Sequence, residues 1–258
     1  MNIFILAAGL GTRLKPLTDT MPKALVPVGG RPLLQILIEK IQQQCPQPTI
    51  VINVHHFAQQ IIDFLAAHQQ FSLPISISDE RSQLLETGGG LKQAASLFQN
   101  DDPILIHNVD ILSNVNLREF YQSHLDDTSC AATLIVSERT TKRYLLFDAD
   151  NRLVGWTNIE TGEVRSPYTD LDVGQCHKYA FSGIHIVSKS LIRLMDTWTG
   201  RFPIMDFYLS VCHRVVIRAD IRPDLQLLDV GKLDTIAQAE ELVKQHVFTD
   251  PTGQNNKG

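Results

Sequence analysis

Short apolar runs alternate with helix-forming segments through the first 110 residues, and this alternation limits the possible folds of the chain more than any other feature. The runs are rich in β-branched residues, and the order along the chain is β-α-β-α-β-α-β. Such an order predicts a mostly parallel sheet with helices on both faces. The expected fold class is therefore α/β, a three-layer α/β/α sandwich around a mostly parallel central sheet.

The later part of the chain predicts a different arrangement of strands. After Cys130 the apolar runs lie closer together, which predicts a small antiparallel part beside the parallel sheet. The predicted strands are Asn2–Ala7, Thr49–Asn53, Ile75–Ser78, Ile104–His107, Ala131–Val136, Tyr144–Phe147, Leu153–Trp156, Ala180–Val187 and Leu225–Asp229. The predicted helices are Pro32–Gln43, Ala58–His68, Gly89–Leu97, Leu117–His124, Lys189–Met195, Pro203–Val211 and Leu233–His246.

The chain length and the spacing of these elements predict a single domain. The 258 residues are enough for one large α/β domain, and the sequence contains neither an internal repeat nor a linker. We expect this domain to cover residues 1–249, followed by a disordered tail at 250–258, which lacks apolar residues. A long polar stretch at 158–178 is interpreted as either a lid or a mobile insertion.

The charge balance argues against a general nucleic-acid-binding protein. The chain has 23 basic and 28 acidic residues, a formal net charge of −5, whereas such a protein needs a basic face. A locally basic pocket for a phosphate ligand remains compatible with this balance. The four cysteines are isolated, and no apolar run approaches the roughly 18 residues needed to span a bilayer. We therefore expect a soluble cytoplasmic protein that binds neither nucleic acid nor membrane.

The segment from Ala7 to Gly30, which we call the first loop, follows the first strand directly. In a sheet of this type it would lie at the carboxyl edge, where ligands bind. A dinucleotide fingerprint is excluded because position 14 is Leu, and the G-x-x-x-x-G-K-[ST] pattern is absent as well.

A polyphosphate site accounts better for the composition of the first loop. Gly9 and Gly11 let the backbone approach a ligand and direct N–H groups at phosphate oxygens. Arg13 offers a planar fork suited to a phosphoryl group, and the prolines of the loop return Lys23 toward the same place. A solvated βα loop is the alternative, and Lys15 fits a surface role.

At this point the residues resemble a known family. The run from Leu6 to Val28 resembles the signature L-A-A-G-x-G-T-R-L-x-P-L-T, then P-K-x-L-x-P-V, of the sugar-1-phosphate nucleotidyltransferases. The similarity continues through "ETGGG", "IHNVDI", "FSGIHIV" and "LLDVGKLDTIAQAE", to about residue 245. The form "LETGGGL" looks most like the small N-acetylmuramate-1-phosphate uridylyltransferases. Mannose- or heptose-1-phosphate guanylyltransferases are the nearest competitors.

Two aspartates are candidate metal ligands. Asp110 follows the strand "PILIH" and Asp229 follows "LQLL", so two distant segments could converge on one ion at the strand ends. Mg²⁺ is commonly held by one or two carboxylates together with phosphates and waters. The resemblance indicates the same two residues and the same ion, although an aspartate after a strand is also a common helix N-cap.

The resemblance implies a reaction in which a sugar phosphate attacks the α-phosphorus of a nucleoside triphosphate and pyrophosphate leaves. A phosphate monoester is already a nucleophile at pH 7, so positioning and electrostatics should dominate and no general base is required. Arg13 and Lys23 are the predicted catalytic residues. Arg13 would stabilise charge on the leaving pyrophosphate, and Lys23 would bridge the α-phosphate and the sugar phosphate.

The resemblance also implies nucleotide-binding residues in two segments. In the first loop these are Ala8, Gly9, Gly11 and Thr12. In the stretch "ETGGG" they are Glu86 and Gly89, because three glycines allow a backbone to lie flat against a base. A glycine-rich entry to a helix is the alternative for this stretch. Recognition through the backbone leaves the nucleobase undetermined.

The predicted sugar-binding residues are Asn158 and Gly183. "FSG" resembles a family element near the sugar, in which Gly183 would leave room for the ring, although a core-packing glycine fits almost as well. The family's E-K-P motif is replaced by "GWTNIETGE", which contains Asn158. This difference removes a lysine to which phosphate binding would otherwise be assigned.

Together these features predict a Mg²⁺-dependent enzyme that joins a nucleoside triphosphate to a sugar 1-phosphate, with UTP and N-acetylmuramate 1-phosphate as the first choice. A catalytically silent, NDP-sugar-sensing regulatory subunit is the rival from another class. Such a subunit would be expected to lack the cations of the first loop or one of the candidate metal ligands. This chain retains Arg13, Lys23, Asp110 and Asp229. The expected assembly is a monomer or a homodimer.

Overall fold

The computed structural model describes residues 1–244, in which a central mixed sheet has helices on both faces. The strands are β1 (Asn2–Leu6), β2 (Pro27–Val28), β3 (Arg31–Pro32), β4 (Thr49–Val54), β5 (Ile75–Asp79), β6 (Ile104–Asn108), β7 (Ile111–Ser113), β8 (Cys130–Ser137), β9 (Arg143–Phe147), β10 (Leu153–Asn158), β11 (Glu163–Arg165), β12 (His177–Val187), β13 (Val216–Ile221) and β14 (Leu227–Asp229). The α-helices are α1 (Leu33–Gln44), α2 (Ala58–Ala67), α3 (Glu86–Ala95), α4 (Leu117–Asp126), α5 (Lys189–Arg193), α6 (Ile204–Val211) and α7 (Asp234–Lys244). Short 3-10 helices lie at Thr12–Leu14, Leu17–Asp19, Lys23–Leu25 and Gln69–Ser72.

The main sheet has a parallel half and an antiparallel half. Its ten strands follow the order β11-β10-β9-β12-β6-β1-β4-β5, with β8 paired to β12 and β13 paired to β8. Strands β6, β1, β4 and β5 are parallel to one another, as the sequence predicts. Strand β12 joins β6 in the antiparallel sense, and β9, β10 and β11 continue as an antiparallel group. The α/β class, with parallel central strands and an antiparallel part beside them, is therefore confirmed.

Each face of the sheet has its own apolar core. Along β1, Ile3 and Ile5 belong to a core that includes buried side chains of α1, α2 and α4. Phe4 points to the other face and belongs to a core with α3, α5 and α6. Because side chains alternate along a strand, one strand serves both cores. The three-layer arrangement is confirmed by this division.

A third, smaller core fixes the first loop in place. Leu14 and Val26 of the loop are fully buried against Leu112 of β7, Val230 after β14 and Val243 of α7. The loop is therefore packed onto the segment that carries Asp229, and its position does not depend on polar contacts alone.

The structure also differs from the sequence prediction in its shorter elements. Strands β2, β3, β7 and β11 have only two or three residues each, too few for a period-2 pattern, and β13 carries polar residues on one face. Helix α3 begins at Glu86 and not at Gly89, because tertiary contacts override the low helix propensity of glycine.

Three predictions, for the polar stretch, the tail and the last helix, can be compared with the observed elements. The polar stretch 158–178 contains β11, which pairs antiparallel with the end of β10. The predicted tail at 250–258 and the last two residues of the last predicted helix lie outside the described residues. Within residues 1–244, no helix combines the length and the apolar character needed to cross a bilayer.

Candidate active site

The candidate site lies at the edge of the sheet where β1, β4 and β6 end. The first loop leaves β1 there, and Asp110 follows β6 after one intervening residue. Strand β14 reaches the same edge through its antiparallel pairing with β7, in which Asp229 stands opposite Ile111. Segments that are distant in sequence are thus brought to one edge, as expected for ligand sites in open α/β sheets.

The first loop folds back on itself at Gly11. Gly11 has a φ of 63°, a left-handed conformation that favours glycine. The Thr18 hydroxyl donates to the Gly11 carbonyl at 2.9 Å. A Cβ atom at Gly11 would lie 2.9 Å from Thr18 Cγ2 and 3.1 Å from Lys23 Cβ. The loop therefore returns Lys23 to its own beginning, and a side chain at position 11 would obstruct that return.

Lys23 forms an ion pair with Asp110. Its Nζ donates to Asp110 Oδ2, and the two side chains are only 11% and 16% exposed. The N–H of Val230 donates to the Asp110 carbonyl at 2.9 Å, so the turn after β6 is tied to the end of β14. The two predicted metal ligands and one predicted catalytic cation are therefore adjacent.

The charge of Asp110 affects the ionisation of Asp229. Burial, followed by the negative charge of Asp110, raises the pKa of Asp229, while the positive charges of Lys23 and Arg13 oppose the shift. A nearby like charge disfavours the ionised form of a carboxyl, and a nearby cation favours it. The neighbouring carboxylates of Asp110 and Asp229 thus concentrate negative charge, which a bound cation would stabilise.

This donor set fits a hard divalent cation. Both candidate ligands are carboxylates, and residues 1–244 contain no group of three or more His, Cys, Asp or Glu side chains arranged to hold a metal. Mg²⁺ commonly takes one or two protein carboxylates and completes its shell with substrate phosphates and waters. Asp110 and Asp229 therefore match Mg²⁺ better than a metal that requires a full cage of protein ligands.

Arg13 reaches the other side of the same pair. Its Nη2 lies 3.9 Å from Asp229 Oδ2, with both side chains about half exposed. A Cβ atom at Gly231 would lie 2.6 Å from Asp229 Oδ1 and 2.7 Å from Arg13 Nη2. The close approach of the two side chains therefore requires glycine at position 231, a residue that the sequence analysis did not select. In the sequence it stands two residues after Asp229, inside the stretch "LLDVGKLDTIAQAE" that resembles the family.

A cavity of about 410 Å³ opens beside the ion pair, and we call it the main cavity. Its size is within the usual range for sites that bind small molecules. Its lining consists of Leu6, Ala7, Ala8, Gly9, Lys23, Asn53, Leu84, Glu86, Thr87, Asn108, Val109, Asp110 and Pro203. Of the predicted nucleotide-binding residues, Ala8, Gly9 and Glu86 are in this lining, whereas Gly11, Thr12 and Gly89 are not.

A buried polar pair, missed by the sequence analysis, supports the start of the first loop. Asn53 Oδ1 accepts from the N–H groups of Ala7 and Ala8 at 2.7 and 3.2 Å, and Asn53 Nδ2 donates to Glu80 Oε1 at 2.7 Å. Glu80 Oε2 accepts from Leu85 N–H at 3.0 Å. Burial raises the pKa of Glu80, while the hydrogen bonds from Leu85 and Asn53 oppose the shift.

This network joins the ends of β1, β4 and β5 to the entrance of α3, so it fixes two walls of the main cavity relative to each other. It also gives the Ala8 amide an acceptor within the protein. The signal available in the sequence was a polar residue near the end of the apolar strand β4 and another directly after β5.

The glycines of α3 have a packing explanation. A Cβ atom at Gly89 would lie 2.5 Å from the Gly200 carbonyl oxygen, and one at Gly88 would lie 2.4 Å from the Phe202 ring. The N–H groups of Gly88 and Gly89 both donate to the Phe202 carbonyl. The 200–202 segment therefore packs on the side of Gly89 where a Cβ atom would lie, which explains the glycine by packing. Any nucleotide contact of Gly89 stays a prediction.

Glu86 is one of two residues of this stretch, with Thr87, that line the main cavity. It has a φ of 60°, which is uncommon for a residue other than glycine and is often found at ligand sites. Its Oε1 accepts from Arg201 Nε at 2.7 Å. The side chain of Glu86 is therefore held in a fixed orientation at the cavity wall.

The two predicted sugar-binding residues lie in different environments. Gly183 has a φ of 79° at a register shift of β12, and a Cβ atom there would lie 2.7 Å from Nδ2 of Asn108, which lines the main cavity. Asn158 instead caps its own turn, with Oδ1 accepting from Glu160 N–H at 3.1 Å. The structure brings Gly183 close to the cavity and does not place Asn158 in its lining.

Comparison with known proteins finds a matching family model and several relatives. A family model described as "Nucleotidyl transferase" matches residues 3–165, more than half of the chain, a range that contains Arg13, Lys23 and Asp110. The N-acetylmuramate alpha-1-phosphate uridylyltransferase of Caulobacter vibrioides is 44% identical over 108 residues, which are 41% of this chain and 44% of that protein. The protein of the same name from Neisseria meningitidis serogroup B is 37% identical over 123 residues, 48% of this chain and 52% of that protein.

These matches span about half of the length of the two curated relatives. The crystal structure of HddC from Yersinia pseudotuberculosis, complexed with GMP-PN, superimposes with a TM-score of 0.72. It is 24% identical, and the superposition covers 94% of this chain and 99% of HddC. At this identity the similarity shows the fold.

Proposed function

The chain belongs to the nucleotidyl transferase family, and on this premise we propose that it transfers a nucleotidyl group from a nucleoside triphosphate to a sugar 1-phosphate. The products are an NDP-sugar and pyrophosphate. The observation that carries the proposal is the convergence of Arg13, Lys23, Asp110 and Asp229 at one edge of the sheet, beside a cavity of suitable size.

In this reaction a phosphate oxygen of the sugar 1-phosphate attacks the α-phosphorus of the triphosphate. A new P–O bond forms there, the bond between the α-phosphorus and its bridging oxygen breaks, and the electron pair leaves with pyrophosphate. Both reactants are anions, so the main tasks of the protein are to hold them in line and to stabilise negative charge.

The protein's own groups suit these tasks. Lys23 lies in the lining of the main cavity next to Asp110, where its ammonium would contact the α-phosphate and the incoming phosphate. Arg13 lies on the far side of Asp229, where its guanidinium would stabilise the leaving pyrophosphate. Losing a cation that acts on a transferring phosphoryl group commonly lowers the rate by orders of magnitude.

A divalent cation, with Mg²⁺ as our choice, is part of the proposal. The two cations and two carboxylates of the site sum to zero net charge, so these four side chains alone do not offset the charge of two anionic substrates. Asp110 and Asp229 would hold Mg²⁺ together with substrate phosphates. When bound, the ion supplies Lewis-acid stabilisation of the phosphate oxygens.

We assign UTP and N-acetylmuramate 1-phosphate as the first-choice substrates. This assignment rests on the names of two curated relatives, each matched over about half of its length, and on the "LETGGGL" stretch. The alternative from the sequence resemblance is GTP with mannose or heptose 1-phosphate.

The test is pyrophosphate release from the purified full chain. The protein is incubated with Mg²⁺, each of the four common nucleoside triphosphates and a panel of sugar 1-phosphates. Release with UTP and N-acetylmuramate 1-phosphate is the expected result. Activity only with GTP and a mannose or heptose phosphate would change the substrate assignment and keep the reaction class.

The same assay separates the enzyme from a regulatory subunit. A silent sensor would bind NDP-sugars in a calorimeter and release no pyrophosphate with any pair of substrates. Such an outcome would contradict the proposed reaction.

A further inference from the structure

A second cleft, of about 580 Å³, lies on the other side of the aspartate pair. It shares Arg13 and Asp229 with the candidate active site. Its remaining walls come from the segment between β8 and β9, at positions 139–143, and from the segment after Asp229. We call this space the basic cleft. The two carboxylates therefore stand between the main cavity on one side and the basic cleft on the other.

Positive charge is concentrated in the basic cleft. Its lining includes five basic residues, Arg13, Arg139, Lys142, Arg143 and Lys232, and two acidic residues, Asp229 and Asp234. The whole chain has the opposite balance, with 23 basic against 28 acidic residues. A cleft of one sign raises the local concentration of ligands of the other sign. The basic cleft is therefore suited to an anionic ligand.

Several of these cations have no acidic partner. Lys142 pairs with Glu160 at 2.7 Å, and Arg139 Nη2 donates to the Phe181 carbonyl at 2.9 Å. In contrast, Arg143 and Lys232 form no salt bridge with any residue that the structure describes. Both side chains are exposed to solvent, so neither has to break a contact before it binds a ligand.

We propose that the basic cleft binds a second anionic group of the sugar substrate, a carboxylate or a further phosphate, and that Arg143 and Lys232 select for it. This inference rests on the proposed function. The cleft begins at Asp229, beside the reacting phosphates. Arg143 and Lys232 come from other segments than Arg13, so the sugar would contact their wall while Arg13 contacts the pyrophosphate.

The other polar groups of the cleft favour a sugar over pyrophosphate as the occupant. Asp234 is an acceptor, and the hydroxyl of Thr141 can donate and accept. The hydroxyl of Thr235, in contrast, already donates to the Lys232 carbonyl at 2.7 Å. Sugar hydroxyls can donate to the carboxylate of Asp234, whereas a fully ionised pyrophosphate has only acceptors and cannot.

Pairs of sugar 1-phosphates that differ in one acidic group test this proposal directly. N-acetylmuramate 1-phosphate carries a lactyl carboxylate that N-acetylglucosamine 1-phosphate lacks, and glucuronate 1-phosphate differs from glucose 1-phosphate by a carboxylate. Glucose 1,6-bisphosphate supplies the second-phosphate case. The acidic member should bind roughly tenfold or more tightly, the order expected for hydrogen bonds to charged groups. Raising the ionic strength should reduce the preference.

Single substitutions assign the effect to residues. Arg143→Ala and Lys232→Ala should each reduce the preference for the acidic member several-fold, and Arg143→Lys should retain most of it. The control is Arg118→Ala on α4, an exposed arginine outside the cleft, which removes the same charge and should leave the preference unchanged. Dissociation constants are measured by calorimetry, with and without a non-hydrolysable UTP analogue, so the test does not depend on turnover.

The outcomes separate the two proposals. Equal binding of acidic and neutral acceptors by the wild-type protein would overturn the inference even if pyrophosphate release is observed. Weaker pyrophosphate binding in Arg143→Ala, with an unchanged acceptor preference, would assign the cleft to the leaving group and also overturn it. A clear preference for the acidic sugar 1-phosphates without turnover would support the proposed role of the basic cleft and contradict only the proposed reaction.

Discussion

Asp110 and Asp229 meet because β14 pairs antiparallel with β7, which sets Asp229 opposite Ile111. Burial is the main cause of the raised pKa of Asp229, and the nearby charge of Asp110 is the second cause. Two like charges held together by backbone pairing are unfavourable unless cations compensate them. Lys23 and Arg13 oppose this effect, but the pKa of Asp229 is still raised, so its ionisation should cost stability when no metal ion is bound.

Replacing Asp229 by asparagine should stabilise the fold at neutral pH. The pKa of Asp229 is raised in the folded state, so the folded form favours the protonated carboxyl. The ionised carboxylate lowers stability above the folded pKa, and this cost disappears below the ordinary value of 3.8. Urea unfolding between pH 4 and 8 should show an advantage of Asp229→Asn that grows with pH. Asp63→Asn, at an exposed position of α2, is the control, and a pH-independent advantage would contradict the explanation.

Mg²⁺ added with UTP should raise the melting temperature of the wild-type protein, because a ligand that binds only the folded state stabilises it. At a concentration of 100 times the dissociation constant the gain is about 2.7 kcal/mol. The Asp110→Asn variant should lose most of the Mg²⁺-dependent rise in melting temperature, and the Asp63→Asn variant should keep it. An equal Mg²⁺ effect in Asp110→Asn would exclude that carboxylate as a ligand. Differential scanning fluorimetry is sufficient for the measurement.

Lys23→Met should lower turnover by at least about 100-fold, a loss typical of a missing electrostatic contact to the reacting group. It should also cost about 1–3 kcal/mol of stability, because the largely buried carboxylate of Asp110 loses its counter-ion. Adding Asp110→Asn should restore the stability and not the activity. Lys15→Met is a matched control, since Lys15 and Asp19 form an exposed pair at 3.0 Å that should contribute little. Similar losses in both lysine variants would argue against a special role for Lys23.

Asn53→Ala should weaken the wall of the main cavity. It removes the acceptor of the Ala7 and Ala8 amides and a donor to the buried Glu80, and unsatisfied buried groups cost about 1–3 kcal/mol each. We expect a lower melting temperature and a KM that rises more for the nucleoside triphosphate than for the sugar phosphate. Asn114→Ala is the matched control, because Asn114 also bridges two backbone groups, those of Asp224 and Gln226, at an exposed position. Equal effects on the two KM values would contradict the assignment to the nucleotide side.

The main architecture could be predicted from the sequence because local patterns determine it. The alternation of apolar runs and helical segments predicted the parallel strands, and an aspartate after each of two strands predicted the pair at Asp110 and Asp229. These inferences need only the period of a strand and the rule that parallel strands end at one edge. The geometry agrees with them, while the roles of these side chains stay predictions until the variants are assayed.

The contacts that tie segments together could not be read from the sequence. The hydrogen bond between Asn53 and Glu80 depends on the distance between two strand ends, and the packing of Gly89 depends on the carbonyl of Gly200. A glycine run predicts close approach but not which group approaches, a ligand or the protein's own backbone. For Gly89 the protein's backbone occupies that position, and for Gly231 two polar side chains do.

Gly231→Ala tests how closely the site is fitted around Arg13 and Asp229. The added Cβ would lie 2.6 Å from Asp229 Oδ1 and 2.7 Å from Arg13 Nη2, so at least one of these side chains must move. Both are about half exposed and can move without disrupting the core, so we expect a small change in melting temperature. Turnover should fall by roughly tenfold or more, because a misplacement of about 1 Å at a reacting centre can cost on the order of 100-fold.

The control for this variant is Gly174→Ala, where the nearest atom to the added Cβ is Asp172 Oδ1 at 3.0 Å. That carboxylate is outside both the main cavity and the basic cleft, so turnover should be unchanged although the steric contact is similar. Wild-type turnover in Gly231→Ala would mean that the reaction does not need Arg13 and Asp229 at their observed separation. A large loss of stability would instead assign Gly231 to the packing of the third core beside Val230.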